Sequence, residues 1–170
     1  MALEPKWYYI FRAQLLPADG IKSSDPALIL MADIDAYKDK FSESGQRVLE
    51  TALSESRKRD QNYVTVEHIM HAFAFEEDDL FSSTMRDLSV DPRSVKMLIE
   101  KRMEDGRQHS GKGFRIAPET TELFKRAMDR ARSQGRRVID SSDIFYVLSN
   151  DERSVLNEVL QNLGVPSDEV

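Results

Sequence analysis

The residues best suited to chemistry stand together in Thr65-Val66-Glu67-His68, with His71 about one helical turn further on. A carboxylate in the first turn of a helix can pair with a guanidinium, while the free N–H groups beside it hold an anion. Glu67 is therefore the leading candidate for ligand contact. Thr65 and His68 flank it, and Ser42, at the start of an earlier helix, offers a hydroxyl. The same residues also have plain structural roles. An acid at Glu67 stabilises a helix N-terminus by about 0.3–1 kcal/mol through the dipole, and Ser42 and Thr65 are natural N-caps. His68 and His71 lie three apart and share a helix edge, the spacing of a half metal site, but no second cluster completes the shell. Capping or packed histidines are expected, and no metal.

Nucleophilic and redox chemistry finds little to work with. The 170 residues contain no cysteine, which removes thiolate catalysis and disulfides and fits a reducing, cytoplasmic setting. The three histidines show no Ser/His/Asp or paired-carboxylate spacing, so no enzyme is read here. Gly111-Lys112-Gly113 lacks the spacing and the following Ser/Thr of a phosphate-cradling loop. No cofactor is implied. The net charge of -6 argues against nucleic acid as a partner, although Arg57-Lys58-Arg59 and the run from Arg130 to Arg137 keep a helical nucleic-acid-binding regulator as the alternative reading. No apolar run is long enough to span a membrane; Trp7 to Phe11 is aromatic and short.

The elements that must position these residues form a repeat. Phe41 to Asp91 lies over Ile116 to Pro166 without a gap, at an offset of 75. Identities are few (Ala52/Ala127, Ile69/Ile144, Leu88/Leu163), but the apolar pattern matches at Phe41/Ile116, Val48/Leu123, Val64/Ile139, Phe73/Leu148 and Leu80/Val155. The predicted fold is all-α: two pseudo-symmetric four-helix repeats behind a short N-terminal extension. Residues 1–40 are the extension, 41–104 the first repeat, 105–115 a Gly-rich basic linker and 116–170 the second repeat. Each copy is too small to bury its apolar face alone, so the two pack as a pair with a groove between them.

Within the first copy, Val48, Leu49, Ala52, Leu53 and Ser56 share one helical face, opposite Glu50, Glu55, Arg57 and Lys58. Thr65 caps a second helix, an acidic turn from Glu76 to Asp79 precedes a third, and Asp91-Pro92 opens a fourth. In the second copy Pro118 starts a helix that Gly135 ends, and Asp140 and Asp143 stand at capping-box spacing before a helix over Ser142 to Leu148. Gly164 ends the third helix, and Pro166 to Val170 reads as the opening of a fourth.

Tyr63-Val64-Thr65-Val66-Glu67-His68-Ile69-Met70, following a helix that ends in charged residues, resembles the signature of the Clp N-terminal domain, the double helical repeat in front of the ATPase modules of Clp-type AAA+ unfoldases. Phe41-Ser42-Glu43, Leu88-Ser89-Val90-Asp91 and Leu163-Gly164-Val165 fall at matching places. The resemblance covers residues 41–170. It implies a non-catalytic protein-interaction module that docks adaptors or substrates for a Clp-type ATP-dependent unfoldase or protease. Such a module is either the front of a longer chain or a stand-alone accessory factor that meets a Clp ATPase or protease core. It also implies a peptide- or phosphoarginine-binding role for Glu67, with Ser42, Thr65 and His68 beside it. Ser142 and Ala117 stand where the family often carries the matching acid and hydroxyl of the second copy, so a second phosphoarginine site is not expected.

Overall fold

A computed structural model of the chain describes residues 39–61, 63–76, 79–105 and 115–166. Most of the N-terminal extension, the linker and the start of a fourth helix in the second copy lie outside these residues. The first copy contains α1 (Glu43–Lys58), β1 (Tyr63–Val64), α2 (Val66–Phe75), α3 (Asp79–Asp87) and α4 (Pro92–Asp105). The second contains β2 (Arg115–Ile116), α5 (Pro118–Ser133), α6 (Ser141–Ser149) and α7 (Val155–Asn162). The predicted all-α repeat is what the structure has: α1 and α5 begin and end 75 residues apart.

Local signals set these boundaries. Ser42 caps α1, its Oγ accepting the Gly45 N–H at 3.4 Å. Ser154 caps α7 in the same way, accepting the Asn157 N–H at 3.1 Å. The helix ends repeat as well. Asp60 and Gly135 follow α1 and α5 with φ of 53° and 74°, and Ser89 and Gly164 follow α3 and α7 with φ of 56° and 87°. After each, the next N–H returns to a carbonyl five residues earlier: Gln61 to Ser56, Arg136 to Ala131, Val90 to Met85 and Val165 to Leu160. This closure satisfies carbonyls that a helix end leaves unpaired.

The copies are joined by exchange. β1 of the first copy pairs in parallel with β2 of the second, Val64 opposite Ile116. Phe41, the counterpart of Ile116, forms a parallel bridge to Ile139, the counterpart of Val64. The Ala117 N–H donates to the Val64 carbonyl at 3.0 Å, and the Ser42 N–H donates to the Ile139 carbonyl at 2.8 Å. Each copy thus lays its entry segment against the segment between the other copy's first and second helices. An all-helical reading omits these short pairings because two residues per strand leave no alternating pattern to detect.

The core is shared accordingly. Ile69, Met70, Ala72 and Phe73 of α2 are fully buried, as are Ala127 of α5, Ile144 of α6 and Leu156, Val159 and Leu160 of α7. Rings cross the boundary: Phe41 meets Phe124 edge-on at 5.1 Å, and Phe73 meets Phe145 at 5.3 Å. Burying each such side chain contributes about 1.5–3 kcal/mol. Two expectations need correction. Glu55, placed on the solvent face of α1, is only 9% exposed, because it is covered by the basic side chains that pair with it: Arg59 Nε donates to it at 2.9 Å and Lys58 Nζ at 3.5 Å. Leu80, expected in the apolar stripe, is 39% exposed, because only Phe81 and Met85, one turn apart, point inward from α3.

Candidate binding groove

The two cross-copy junctions place the candidate residues. At the first, α2 begins beside β2 and the start of α5. The Thr65 N–H donates to His68 Nδ1 at 3.1 Å, and Thr65 Oγ1 lies 2.9 Å from the same nitrogen. His68 thereby closes a capping box from the third position of α2. Its ring is 1% exposed, and burial, the largest influence, pushes its pKa down to about 4. His71 faces elsewhere: its Nε2 lies 3.3 Å from Glu100 of α4, and its ring stacks on Phe75 at 5.8 Å. The two histidines share a helix but not a partner.

Glu67 points into a cavity of 320 Å³ at this junction. Val66, Leu123, Val147, Leu148 and Val155 give it apolar walls, drawn from α2, α5, α6 and the start of α7. Glu67, Glu119, Glu122, Arg126, Asp151 and Arg153 supply the charged part of the lining, with Ser154 beside them. Arg126 Nη1 donates to Asp151 Oδ2 at 2.5 Å, and with the Arg153 N–H this holds the Asp151 carboxyl below its usual range. Glu67 and Glu119 have no hydrogen-bond or ion-pair partner among the described residues.

Ser42 lies at the other junction. Its Oγ donates to Asp140 Oδ2 at 3.2 Å, Ser44 Oγ donates to Asp140 Oδ1 at 3.0 Å, and the Ser142 N–H reaches the same Oδ1 at 3.3 Å. Burial alone would raise the Asp140 pKa, but these bonds outweigh it and hold the carboxyl below its usual range. The candidate residues are therefore divided. Thr65, Glu67 and His68 stand at one junction, with Glu67 lining the cavity, while Ser42 is engaged with the second copy at the other. Glu119, Glu122 and Asp151 were not anticipated as lining residues. Glu119 and Glu122 sit three apart on one helix, a legible spacing, but strand exchange decides which loop they face.

Asp143 closes the capping box of α6 by accepting the Asp140 N–H at 2.9 Å. It is fully buried and is bound by both Arg136 terminal nitrogens, at 2.5 and 2.6 Å, with Arg130 Nε at 3.4 Å. Arg130 also lies 3.4 Å from the Tyr146 ring centroid.

Residues 40–163 match the family model of the Clp repeat (R) N-terminal domain. The chain belongs to this family. Among curated relatives, the negative regulator of genetic competence ClpC/MecB of Bacillus subtilis is 25% identical over 126 residues, which is 74% of this chain and 15% of that protein. The chaperone protein ClpB of Oceanobacillus iheyensis is 24% identical over 126 residues, 74% of this chain and 16% of that protein. The match thus spans only a small part of each. Among solved structures, the N-terminal domain of the ClpV1 ATPase from E. coli aligns with a TM-score of 0.65 at 20% identity, covering 81% of this chain and 84% of that one. A complex of a ClpV N-domain with a VipB peptide aligns at 0.59 and 18% identity, covering 90% of each chain. This Clp repeat domain has the same fold as those N-domains. None of its described helices is long and apolar enough to cross a membrane.

Proposed function

We propose that this Clp repeat domain is a docking module that takes segments of adaptor or substrate proteins for a Clp-type ATP-dependent unfoldase or protease in the cytoplasm, and has no catalytic activity of its own. The observation that carries the reading is the 320 Å³ cavity between the copies, with apolar walls and a charged rim. Such a site buries an apolar side chain and leaves polar groups to select the residues around it. Glu67 contacts the bound segment directly; Thr65 and His68 hold the helix start that presents it. The peptide bound by the ClpV N-domain is a precedent on the same fold. Regulation of nucleic acid would need free cations, yet Arg59 is paired with Glu55, and Arg130 and Arg136 with Asp143.

The test is a titration of the isotope-labelled chain with adaptor- and substrate-derived peptides, read by amide chemical shifts. Shifts confined to Val66, Glu67, Leu123, Val147 and Leu148, with Kd below roughly 1 mM, are expected. Saturating peptide that leaves these amides unmoved would overturn the reading.

A further inference from the structure

The two junctions descend from one pattern, yet their charges differ. At an offset of 75, Glu67, Glu119 and Glu122 of the cavity correspond to Ser142, Ser44 and Arg47. At the Ser42 junction the nearby acid, Asp140, is saturated by three hydroxyls, those of Ser42, Ser44 and Ser141, and a backbone N–H. At the Glu67 junction the cavity is lined by four carboxylates, Glu67, Glu119, Glu122 and Asp151, against Arg126 and Arg153. Arg126 and Asp151 neutralise one another at 2.5 Å. Glu122 meets Lys125 only at 3.6 Å on the exposed side of α5, a pairing of little strength. The carboxylates of Glu67 and Glu119 and the guanidinium of Arg153 are left over, so acids outnumber bases beside walls of valine and leucine.

A surface that sets an excess of carboxylates beside an apolar floor is complementary to an apolar segment carrying positive charge. Its charge repels an anion at the same place. We propose that this groove selects a protein segment in which an unmodified arginine or lysine adjoins an apolar residue, and rejects the same segment when that residue is acidic or phosphorylated. The apolar side chain enters among Leu123, Val147 and Leu148, and the cation lies between Glu67 and Glu119. The selection rests on the docking reading above, and the experiment separates the two.

Three peptides differing only at the centre are titrated into the full chain: arginine between two leucines, phosphoarginine between the same leucines, and glutamate there. The expected result is that the arginine peptide shifts the groove amides and binds at least about tenfold more tightly than either anionic peptide. Its affinity should fall as salt rises. The double variant Glu67→Gln with Glu119→Gln removes a first-turn acid from α2 and from α5; it should stay folded, melt no more than about 2–8 °C lower, and lose most of that preference. Equal binding of all three at the groove would overturn the charge selection and leave docking intact. Tighter binding of the phosphoarginine peptide would overturn it in the opposite sense. Failure of every peptide to move the groove amides would overturn both.

Discussion

His68 and Asp143 occupy equivalent positions, the third residue of α2 and of α6, and each accepts the N–H of the residue capping its helix. One does so as a buried neutral imidazole, the other as a buried carboxylate gripped by Arg136. Their surroundings are reversed to suit: Glu55 in the first copy stands where the second has Arg130. The neutral imidazole makes stability depend on pH. The folded-state pKa of about 4 lies below the ordinary value of 6.5, so the unfolded chain takes up the proton first. His68 therefore contributes its full stability above pH 6.5, and that contribution is lost as pH falls from 6.5 to about 4. The loss is on the order of 2–3 kcal/mol. Denaturation by urea at pH 7 and at pH 4.5 measures it. His68→Gln keeps an acceptor for the Thr65 N–H without titrating, and is expected to flatten the dependence across that window. Asp143→Ala would leave the Asp140 N–H without its acceptor and free Arg136, which water can reach, at a cost of roughly 1–3 kcal/mol read from the same denaturation curves.

The helices end on a left-handed residue at four repeated places, and the copies fill these differently. The second uses Gly135 and Gly164; the first uses Asp60 and Ser89. A side chain in that conformation costs about 1 kcal/mol that glycine avoids. Asp60→Gly and Ser89→Gly are each expected to raise the unfolding free energy by up to about 1 kcal/mol, less the entropy glycine adds to the unfolded chain. A fall in denaturation midpoint for both variants would refute this. The glycines were legible as stops in the sequence, because glycine after a run of helical spacing announces a left-handed turn. Asp60 and Ser89 were visible only as ends of a pattern, since Asp and Ser have many other uses. The caps at Ser42, Thr65 and Asp140 were equally readable from local chemistry. What lay beyond reach was the placing of Glu67 and Glu119 in the lining of one cavity: the residues are distant in sequence, and the strand pairing that joins their copies consists of two residues on each side.

At the scale of the whole molecule, the exchange between copies is not perfectly symmetric. Thr120 of α5 donates its hydroxyl to the Val64 carbonyl at 3.0 Å. Its counterpart on α1 is Gly45, where an added Cβ would stand 2.7 Å from the Ile139 carbonyl and 2.9 Å from the Phe41 ring. α1 therefore sits closer over the opposite copy than α5 does. In an exposed helix, glycine to alanine gains about 1 kcal/mol. Gly45→Ala is expected instead to cost roughly 1–3 kcal/mol, because the neighbour is backbone and has no rotamer to yield. A calorimetric melt of the variant checks the sign. The same asymmetry fits the division of labour between junctions: the tighter one is filled with serine hydroxyls bound to Asp140, and the other keeps an open cavity.

The crossed pairing of Phe41 with Ile139 and of Val64 with Ile116 has a practical consequence. A chain cut between Asp105 and Arg115 yields two halves, each holding one strand of both pairs and part of the common core. Neither half alone can form either pair, so ordered structure should require that the two be brought together. Fused to two proteins of interest, the halves would act as a proximity sensor whose signal, restored helical order, arises only when those proteins meet.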